Sequence, residues 1–192
     1  VLMVLGRLDE GLVSHRRALQ ITPDYVDAQS NLVASLTYSH RPASIYLDEV
    51  RRFAAMVKNR VTQEFSAWQC NADSVRLRVG LVSGDLRQHA VSYFLEGLLG
   101  NIDPTCVELF AYPTHHETDD LTARIKPRFA AWKSLVGHSD EGAARMIHGD
   151  GVHILIDLSG HTAHNRLPVF AWKPAPVQAS WLGYWATTGV TA

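Results

Sequence analysis

The chain has 192 residues, of which 46% are hydrophobic, so it can bury one substantial core and a smaller second one. The 18 Lys and Arg residues against 19 Asp and Glu residues leave a formal net charge of -1. No run of basic residues matches the phosphate-binding stripe of a nucleic-acid binder. We therefore expect neither nucleic acid nor an anionic membrane as a partner.

The cysteine pattern and the lengths of the apolar runs bear on location. Cys70 and Cys106 are far apart and form no CxxC pair, which is typical of a reducing compartment. No apolar run reaches the roughly 20 residues that a bilayer span needs. These features predict a cytoplasmic protein. The sequence begins inside a helical pattern and stops just after a glycine turn, so we expect a piece of a longer protein.

Residues 1–41 have the pattern of tetratricopeptide helices. Leucines recur at the spacing of one helix face, and small residues with a proline stand at the offsets of that repeat's second helix. A further first helix is predicted to begin at Asp24. A plain helical hairpin is the alternative. The leucines are Leu5, Leu8, Leu12 and Leu19, and the other positions are Gly6, Gly11, Ala18 and Pro23.

Residues 42–73 are predicted to form a linker that packs the repeats on the C-terminal part of the chain. The segment 43–68 has the pattern of an amphipathic helix. Its apolar stripe consists of Tyr46, Val50, Phe53 and Val57.

From residue 74 to residue 192 the pattern predicts a doubly wound, Rossmann-like α/β sheet. Segments typical of buried parallel strands alternate with helical stretches. Because ligands bind at the carboxyl ends of such strands, the loops 83–92, 159–166 and 183–189 are the candidate site. The predicted strands are 75–83, 107–112, 131–136, 152–158 and 177–182, and the predicted helices are 92–100, 119–130, 140–149 and 165–172.

A carboxylate and an imidazole, Asp85 and His89, follow the first predicted strand. An Asp can fix the tautomer of a neighbouring His, which can then hold or withdraw a hydroxyl proton near neutral pH. The alternative is that Asp85 caps the next turn and His89 is an ordinary surface residue. The spacing of Gly80 and Gly84 does not match a dinucleotide fingerprint, and the phosphate-binding GxxxxGK[ST] pattern is absent.

A second group of polar residues surrounds the fourth predicted strand. His153, Asp157, His161 and His164 fall within 12 residues, a composition that suits a zinc or iron site. Geometry argues against such a site, because the first two lie on a strand and the last two in a loop. A polar crevice wall with Asn165 capping the next helix is the preferred interpretation. A metal-dependent hydrolase stays as an alternative that predicts a bound ion.

Five ordered motifs lie in the last two thirds of the chain. They read Leu77–Asp85 with His89, Asp150–Leu155, Gly160–Thr162 with Asn165–Leu167, Pro174–Gln178, and Trp181–Tyr184 with Thr187–Gly189. Together they resemble the first catalytic lobe of the O-GlcNAc transferase and SPINDLY family. The helical pattern before them resembles that family's repeats.

The resemblance implies an inverting glycosyltransferase of the two-lobed GT-B type. It would move N-acetylglucosamine from UDP-GlcNAc to Ser or Thr hydroxyls of proteins that are bound through the repeats, with no metal ion and no cofactor. By the same resemblance, His89 lines the active site as a candidate base and Asp85 stands beside it. The residues on the substrate side would be His161, Thr162, Tyr184, Thr187, Thr188 and His153.

Two departures from the family pattern matter. Trp185 stands where relatives commonly have a proline. Nothing matches the second lobe, which in the family supplies most uridine diphosphate contacts, so we expect the chain alone to be inactive. Two alternatives stay open, a GDP-fucose-dependent protein O-fucosyltransferase of SPINDLY type and a non-catalytic tetratricopeptide scaffold. His153 favours the N-acetylglucosamine branch.

Overall fold

The computed structural model describes residues 2, 3, 5–71 and 73–190. The chain is an α/β protein with two compact units. The helical unit consists of Val1–Thr62 with Ala186–Thr191, and the sheet unit consists of Gln63–Trp185. The predicted division at residues 41 and 73 stays a prediction.

The helical unit contains three helices that pack around leucines. They are α1 (Leu8–Ile21), α2 (Val26–Leu36) and α3 (Ala43–Lys58). Leu12, Leu32 and Leu36 form its buried cluster. The predicted stripe of α3 is confirmed, since Val50, Phe53 and Val57 are buried. The assignment of these helices to the tetratricopeptide repeat stays a prediction.

Two details of the predicted helices are wrong. Leu5 precedes α1 and is 62% exposed, so it does not belong to the apolar face. The predicted helix 43–68 ends at Lys58 because the backbone beyond it bonds elsewhere. The amide of Phe65 donates to the carbonyl of Trp172 at 2.8 Å. In a continued helix that amide would pair four residues back.

The sheet unit contains five parallel strands in the order β3-β2-β1-β4-β5, which confirms the predicted parallel sheet. The chain runs from β1 outward to β2 and β3, then returns to the other side of β1 for β4 and β5. The loops after β1 and β4 therefore diverge and leave a crevice. The strands are β1 (Leu77–Ser83), β2 (Val107–Pro113), β3 (Ala131–Trp132), β4 (Ile154–Asp157) and β5 (Val177–Ser180).

The connecting helices lie where they were predicted. The helix 140–149 has the predicted bounds, the first helix begins two residues earlier than predicted, and the other two are shorter. Pro127 lacks an amide hydrogen, and the predicted helix 119–130 becomes a short α-helix followed by a 3-10 turn at Lys126–Arg128. Strand β3 has two residues in register with β2, and backbone hydrogen bonds to β2 continue at Lys133 and Leu135 along the predicted strand 131–136. The helices are α4 (Ala90–Leu99), α5 (Asp120–Ile125), α6 (Asp140–Gly149) and α7 (Leu167–Phe170).

The centre of the sheet depends on a glycine in β1. A Cβ at Gly80 would lie 2.8 Å from the Tyr112 ring and 2.9 Å from Leu155. Side chains of the two neighbouring strands therefore fill the space that a side chain at Gly80 would occupy. Among the described residues, no helix combines the length and the apolarity that a bilayer crossing requires.

We predict that Leu12→Ala lowers the free energy of unfolding of the helical unit by about 3 kcal/mol, because it removes a fully buried side chain and leaves a cavity. Val13→Ala is the matched control. The Val13 side chain follows Leu12 in the sequence and is 65% exposed, so we expect its removal to change the free energy of unfolding by no more than about 0.5 kcal/mol. Urea denaturation followed by circular dichroism measures both, and equal effects would contradict the packing described here.

Candidate active site at the carboxyl edge of the sheet

The loop that leaves β1 is fixed by its own serines. The Ser83 hydroxyl accepts from the Asp85 amide at 3.0 Å, and the Ser92 hydroxyl donates to the Asp85 carbonyl. Ser83, Asp85 and Ser92 are all buried. Both the amide and the carbonyl of Asp85 are therefore hydrogen-bonded, which fixes the backbone that carries its carboxylate.

His89 is the N-cap residue of α4. Its Nδ1 atom accepts from the Val91 amide at 3.3 Å. The same Nδ1 lies 3.7 Å from Asp85 Oδ2, which is longer than a hydrogen bond. A neutral ring whose Nδ1 accepts carries its proton on Nε2, so His89 presents an N–H donor. One interpretation of the sequence had Asp85 capping the turn after β1. In the structure His89, not Asp85, caps α4.

Asp157 is a buried carboxylate at the end of β4 that gathers donors from two strands. Its Oδ1 accepts from the Ser159 amide at 3.1 Å, and its Oδ2 accepts from the Gly160 amide at 2.8 Å and the Ser180 hydroxyl at 2.7 Å. Burial raises the pKa of Asp157, and these three donors act in the opposite direction. Asp157 thus ties the exit of β4 to β5.

This role of Asp157 was not predicted from the sequence, where the residue stood in a group interpreted as a polar crevice wall, with a metal site as the alternative. The signal that could have found it is a carboxylate at the end of an apolar strand, directly before Ser159 and Gly160, where backbone amides turn back toward it. Among the residues that the structure describes, no group of three or more His, Cys, Asp or Glu side chains is placed to hold a metal ion.

Two glycines let the exits of β4 and β5 touch. Gly160 has φ +56°, and a Cβ there would lie 2.2 Å from the Cβ of Tyr184. A Cβ at Gly183 would lie 1.8 Å from the Leu158 carbonyl oxygen. Side chains at either position would therefore push the two loops apart.

Above these glycines, three rings form a row from the interior to solvent. The buried His161 ring meets the Tyr184 ring edge-on, with centroids 5.4 Å apart. The Trp185 ring lies 5.7 Å from Tyr184 and is 62% exposed. Thr162 lies in the same loop, where its hydroxyl donates to the Ser159 carbonyl at 2.8 Å. This row gives the crevice an aromatic wall.

The structure brings Asp85, His89, His161, Thr162 and Tyr184 to one edge of the sheet, but it places His153 elsewhere. His153 precedes β4, about 13 Å from Asp157 at the rise of a parallel strand. Its Nδ1 accepts from the Arg78 amide at 3.0 Å, and its Nε2 lies 2.9 Å from the Asn71 carbonyl. These contacts hold the amino end of the sheet.

Thr187 and Thr188 belong to the helical unit. The Thr187 carbonyl accepts from the Tyr46 hydroxyl at 2.6 Å, and its own hydroxyl accepts from the Gly189 amide at 3.3 Å. The predicted cap at Asn165 is wrong by one residue, because Arg166 is the N-cap of α7. The Asn165 side chain nevertheless accepts from the Leu167 amide at 3.4 Å.

The glycosyl transferase family 41 model matches residues 35–192. A SPINDLY protein of Petunia hybrida, named as a UDP-N-acetylglucosamine–peptide N-acetylglucosaminyltransferase, is 33% identical over 90% of this chain. The enzyme of that name from Caenorhabditis elegans is 36% identical over 60% of the chain. A mutant O-GlcNAc transferase of Thermobaculum terrenum superposes on 98% of the chain with a TM-score of 0.91 and 33% identity.

The parallel sheet and the crevice at its carboxyl edge are those of a glycosyltransferase lobe. The chain belongs to glycosyl transferase family 41. It is similar to transferases of the O-GlcNAc transferase and SPINDLY type. It spans 19% of the length of the Petunia relative, 10% of the C. elegans relative and 36% of the T. terrenum chain.

We predict that Ser180→Ala destabilises the sheet unit more at high pH than at low pH. Burial raises the pKa of Asp157 in the folded state, so ionisation of this group opposes folding, and its contribution to stability is lost as pH rises through the folded pKa. The Ser180 hydroxyl lessens this effect. Its removal should lower the free energy of unfolding by about 1.5–3 kcal/mol at a pH above the folded pKa of Asp157, where the bond is to a charged group, and by less at a pH below it.

Denaturant unfolding at the two pH values measures the effect. Ser134→Ala is the control, because the Ser134 hydroxyl is exposed and accepts only from the Val136 amide two residues on. A loss in Ser180→Ala that does not depend on pH would contradict the role given to Asp157.

We also predict opposite outcomes for two glycines of the sheet unit. Gly160→Ala should lower the free energy of unfolding by at least about 2 kcal/mol, since it combines a left-handed φ with a clash against Tyr184. Gly149→Ala should raise it by up to about 1 kcal/mol, because Gly149 is helical and a Cβ there meets nothing within 4 Å. Thermal unfolding compares the two variants, and a stable Gly160→Ala protein would contradict the close approach of the loops.

Proposed function

We propose that the chain contributes the first lobe of an inverting glycosyltransferase that moves N-acetylglucosamine from UDP-GlcNAc to Ser or Thr hydroxyls of proteins. The observation that carries the proposal is the position of His89, a capped imidazole at the start of α4, in the loop that follows β1 at the carboxyl edge of the sheet. The names of the relatives and the family match support the reaction type.

His89 acts as a hydrogen-bond donor in this mechanism. Its Nδ1 accepts from the Val91 amide, so the neutral ring carries its N–H at Nε2. A donor fixed in advance stabilises charge that develops on an oxygen of the reacting groups and orients the sugar that carries it. The acceptor oxygen bonds to the anomeric carbon as the bond from that carbon to the diphosphate breaks, and the proton of the acceptor hydroxyl passes to an oxygen of the leaving diphosphate. Asp85 is a positioning residue that favours the loop geometry beside this ring.

The aromatic row supplies the binding surface. Sugar rings and peptide groups pack against aromatic faces, and the exposed face of Trp185 next to Tyr184 offers such a surface. Thr162 adds a hydroxyl to the acceptor side, as the resemblance implies. No metal ion takes part, and the charge of the leaving diphosphate is stabilised by hydrogen-bond donors of a second lobe.

We assign helices α1 and α2 to tetratricopeptide units, through which the whole protein would bind its acceptors, and α3 to the linker. The small residues at Gly11 and Ala18 and the end of α1 before Pro23 support that assignment. The whole protein would therefore recognise its acceptors at a surface separate from the residues that perform the transfer.

Two substitutions at one position separate the role of His89 in capping from its role as a donor. Asn is a good N-cap residue, so His89→Asn keeps the cap on α4 but loses Nε2–H, whereas His89→Ala loses both. We expect His89→Asn to fold with unchanged stability and to lower the transfer rate by about 10²- to 10³-fold, the effect of removing one transition-state donor. His89→Ala should in addition lose about 1 kcal/mol of stability.

The assay follows transfer of labelled sugar from UDP-GlcNAc to protein acceptors, with the chain alone and with the complete product of its gene. Full activity of His89→Asn would contradict the role of His89 as a hydrogen-bond donor. Transfer from GDP-fucose but not from UDP-GlcNAc would replace the proposed reaction with O-fucosylation. Absence of transfer from either donor by the complete protein would leave the scaffold as the remaining function.

A further inference from the structure

A cavity lies at the amino edge of the sheet, opposite the edge that carries the candidate active site. This amino-edge cavity has a volume of about 330 Å³ and is lined by the end of α4, the loop after it, the start of β2 and the 3-10 turn after α5. Strands β1 and β2 have seven residues each, so the two edges lie about 20 Å apart. The cavity is therefore separate from the crevice.

The floor of the amino-edge cavity is apolar and continuous with the core. Leu99 and Leu109 are buried members of the core cluster between α4 and the sheet. Ile102, Val107 and Phe129 pack against the same cluster but are only partly buried. The core thus opens to solvent at this point, and an apolar group that covers the opening would be bound favourably.

The shape of the cavity is set by the fold. The Ala130 amide donates to the Leu109 carbonyl at 2.8 Å, which ties the segment after the 3-10 turn to β2. Pro104 and Pro127, which also line the cavity, restrict the backbone of the two loops beside it. A cavity that exists before the ligand arrives binds without the cost of ordering its loops.

Two guanidinium groups, those of Arg76 and Arg128, form the charged part of the lining. The Glu108 carboxylate lies 3.5 Å from Arg76 and 3.0 Å from Arg78, so these three groups together keep one positive charge. Arg128 is exposed and adds a second positive charge. The carboxylate of the nearby Asp103 bonds within its own loop and lies outside the lining. The exposed side of the cavity therefore attracts an anion.

The volume of the cavity limits the size of the ligand. Sites for small molecules usually measure about 300–1,000 Å³, so this cavity is at the lower end of that range. The same volume holds roughly ten water molecules in the liquid, which corresponds to a ligand of roughly ten non-hydrogen atoms.

We propose that the amino-edge cavity binds a small monocarboxylic acid with an aliphatic tail of about eight carbon atoms. The tail lies on the apolar floor, and the carboxylate binds to the guanidinium groups of Arg76 and Arg128, whose planar donors match its two oxygens. This second ligand site is independent of the proposed function, because it uses none of the residues assigned to the transfer.

The first test is a calorimetric titration of the chain with a series of carboxylates, namely butanoate, hexanoate, octanoate and dodecanoate. Each methylene that becomes buried should tighten binding by up to about fourfold. The gain should end when the tail fills the cavity, so we expect a rise as far as octanoate and little change from octanoate to dodecanoate. Octylamine has the same tail with the opposite charge and should bind more weakly than octanoate.

The second test uses two substitutions in the lining. Ala130→Leu puts a side chain into the space of the tail and should weaken octanoate binding at least about tenfold. Arg128→Glu should weaken octanoate binding at least about threefold and tighten octylamine binding, a gain that misfolding cannot produce. Ala123→Leu and Arg145→Glu are the matched controls, because both residues are exposed and lie outside the cavity, and they should change neither affinity.

Several outcomes would overturn the proposal. An affinity that keeps rising by the same factor from octanoate to dodecanoate would indicate an open apolar surface instead of a cavity. Equal binding of octanoate and octylamine, or unchanged ligand preference in Arg128→Glu, would remove the role of the guanidinium groups. Binding of octanoate by the chain but not by the complete product of its gene would mean that another segment fills the cavity. None of these measurements involves sugar transfer, so their failure would leave the proposed function untouched.

Discussion

The buried carboxylate of Asp157 is the interaction on which the candidate site depends. It bonds to amides of the β4 exit and to a hydroxyl of β5, so one side chain sets the distance between two loops. A carboxylate in an apolar interior is stable only when its lone pairs are satisfied, and three donors meet that need. The geometry of the crevice thus results from a solvation requirement of a residue that does not face the crevice.

Close approach of backbone segments is the second constraint. Gly80 lets Tyr112 and Leu155 close over the centre of the sheet, and Gly160 and Gly183 let the β4 and β5 exits touch. These positions carry no chemistry, yet each lacks a side chain because another residue already fills its volume. The packing of the sheet and of its carboxyl edge therefore depends on the absence of side chains at three glycines as well as on the polar groups.

Much of this could be predicted because apolar periodicity is a local signal. The parallel strands and the position of Asp85 and His89 at a strand end were predicted from the pattern, whereas the order of the strands was not. The end of α3 could not be predicted, because the partner of the Phe65 amide is far away in sequence. The place of His153 was also misjudged, since a strand has two ends and a motif does not say which one meets the crevice.

One imidazole serves both the fold and the candidate site. His89 Nδ1 accepts from the Val91 amide and caps α4, and in the neutral ring the proton is then on Nε2. A proton on Nδ1 would remove the acceptor that makes this cap. The start of α4 and the proposed donor therefore depend on the same tautomer of one side chain.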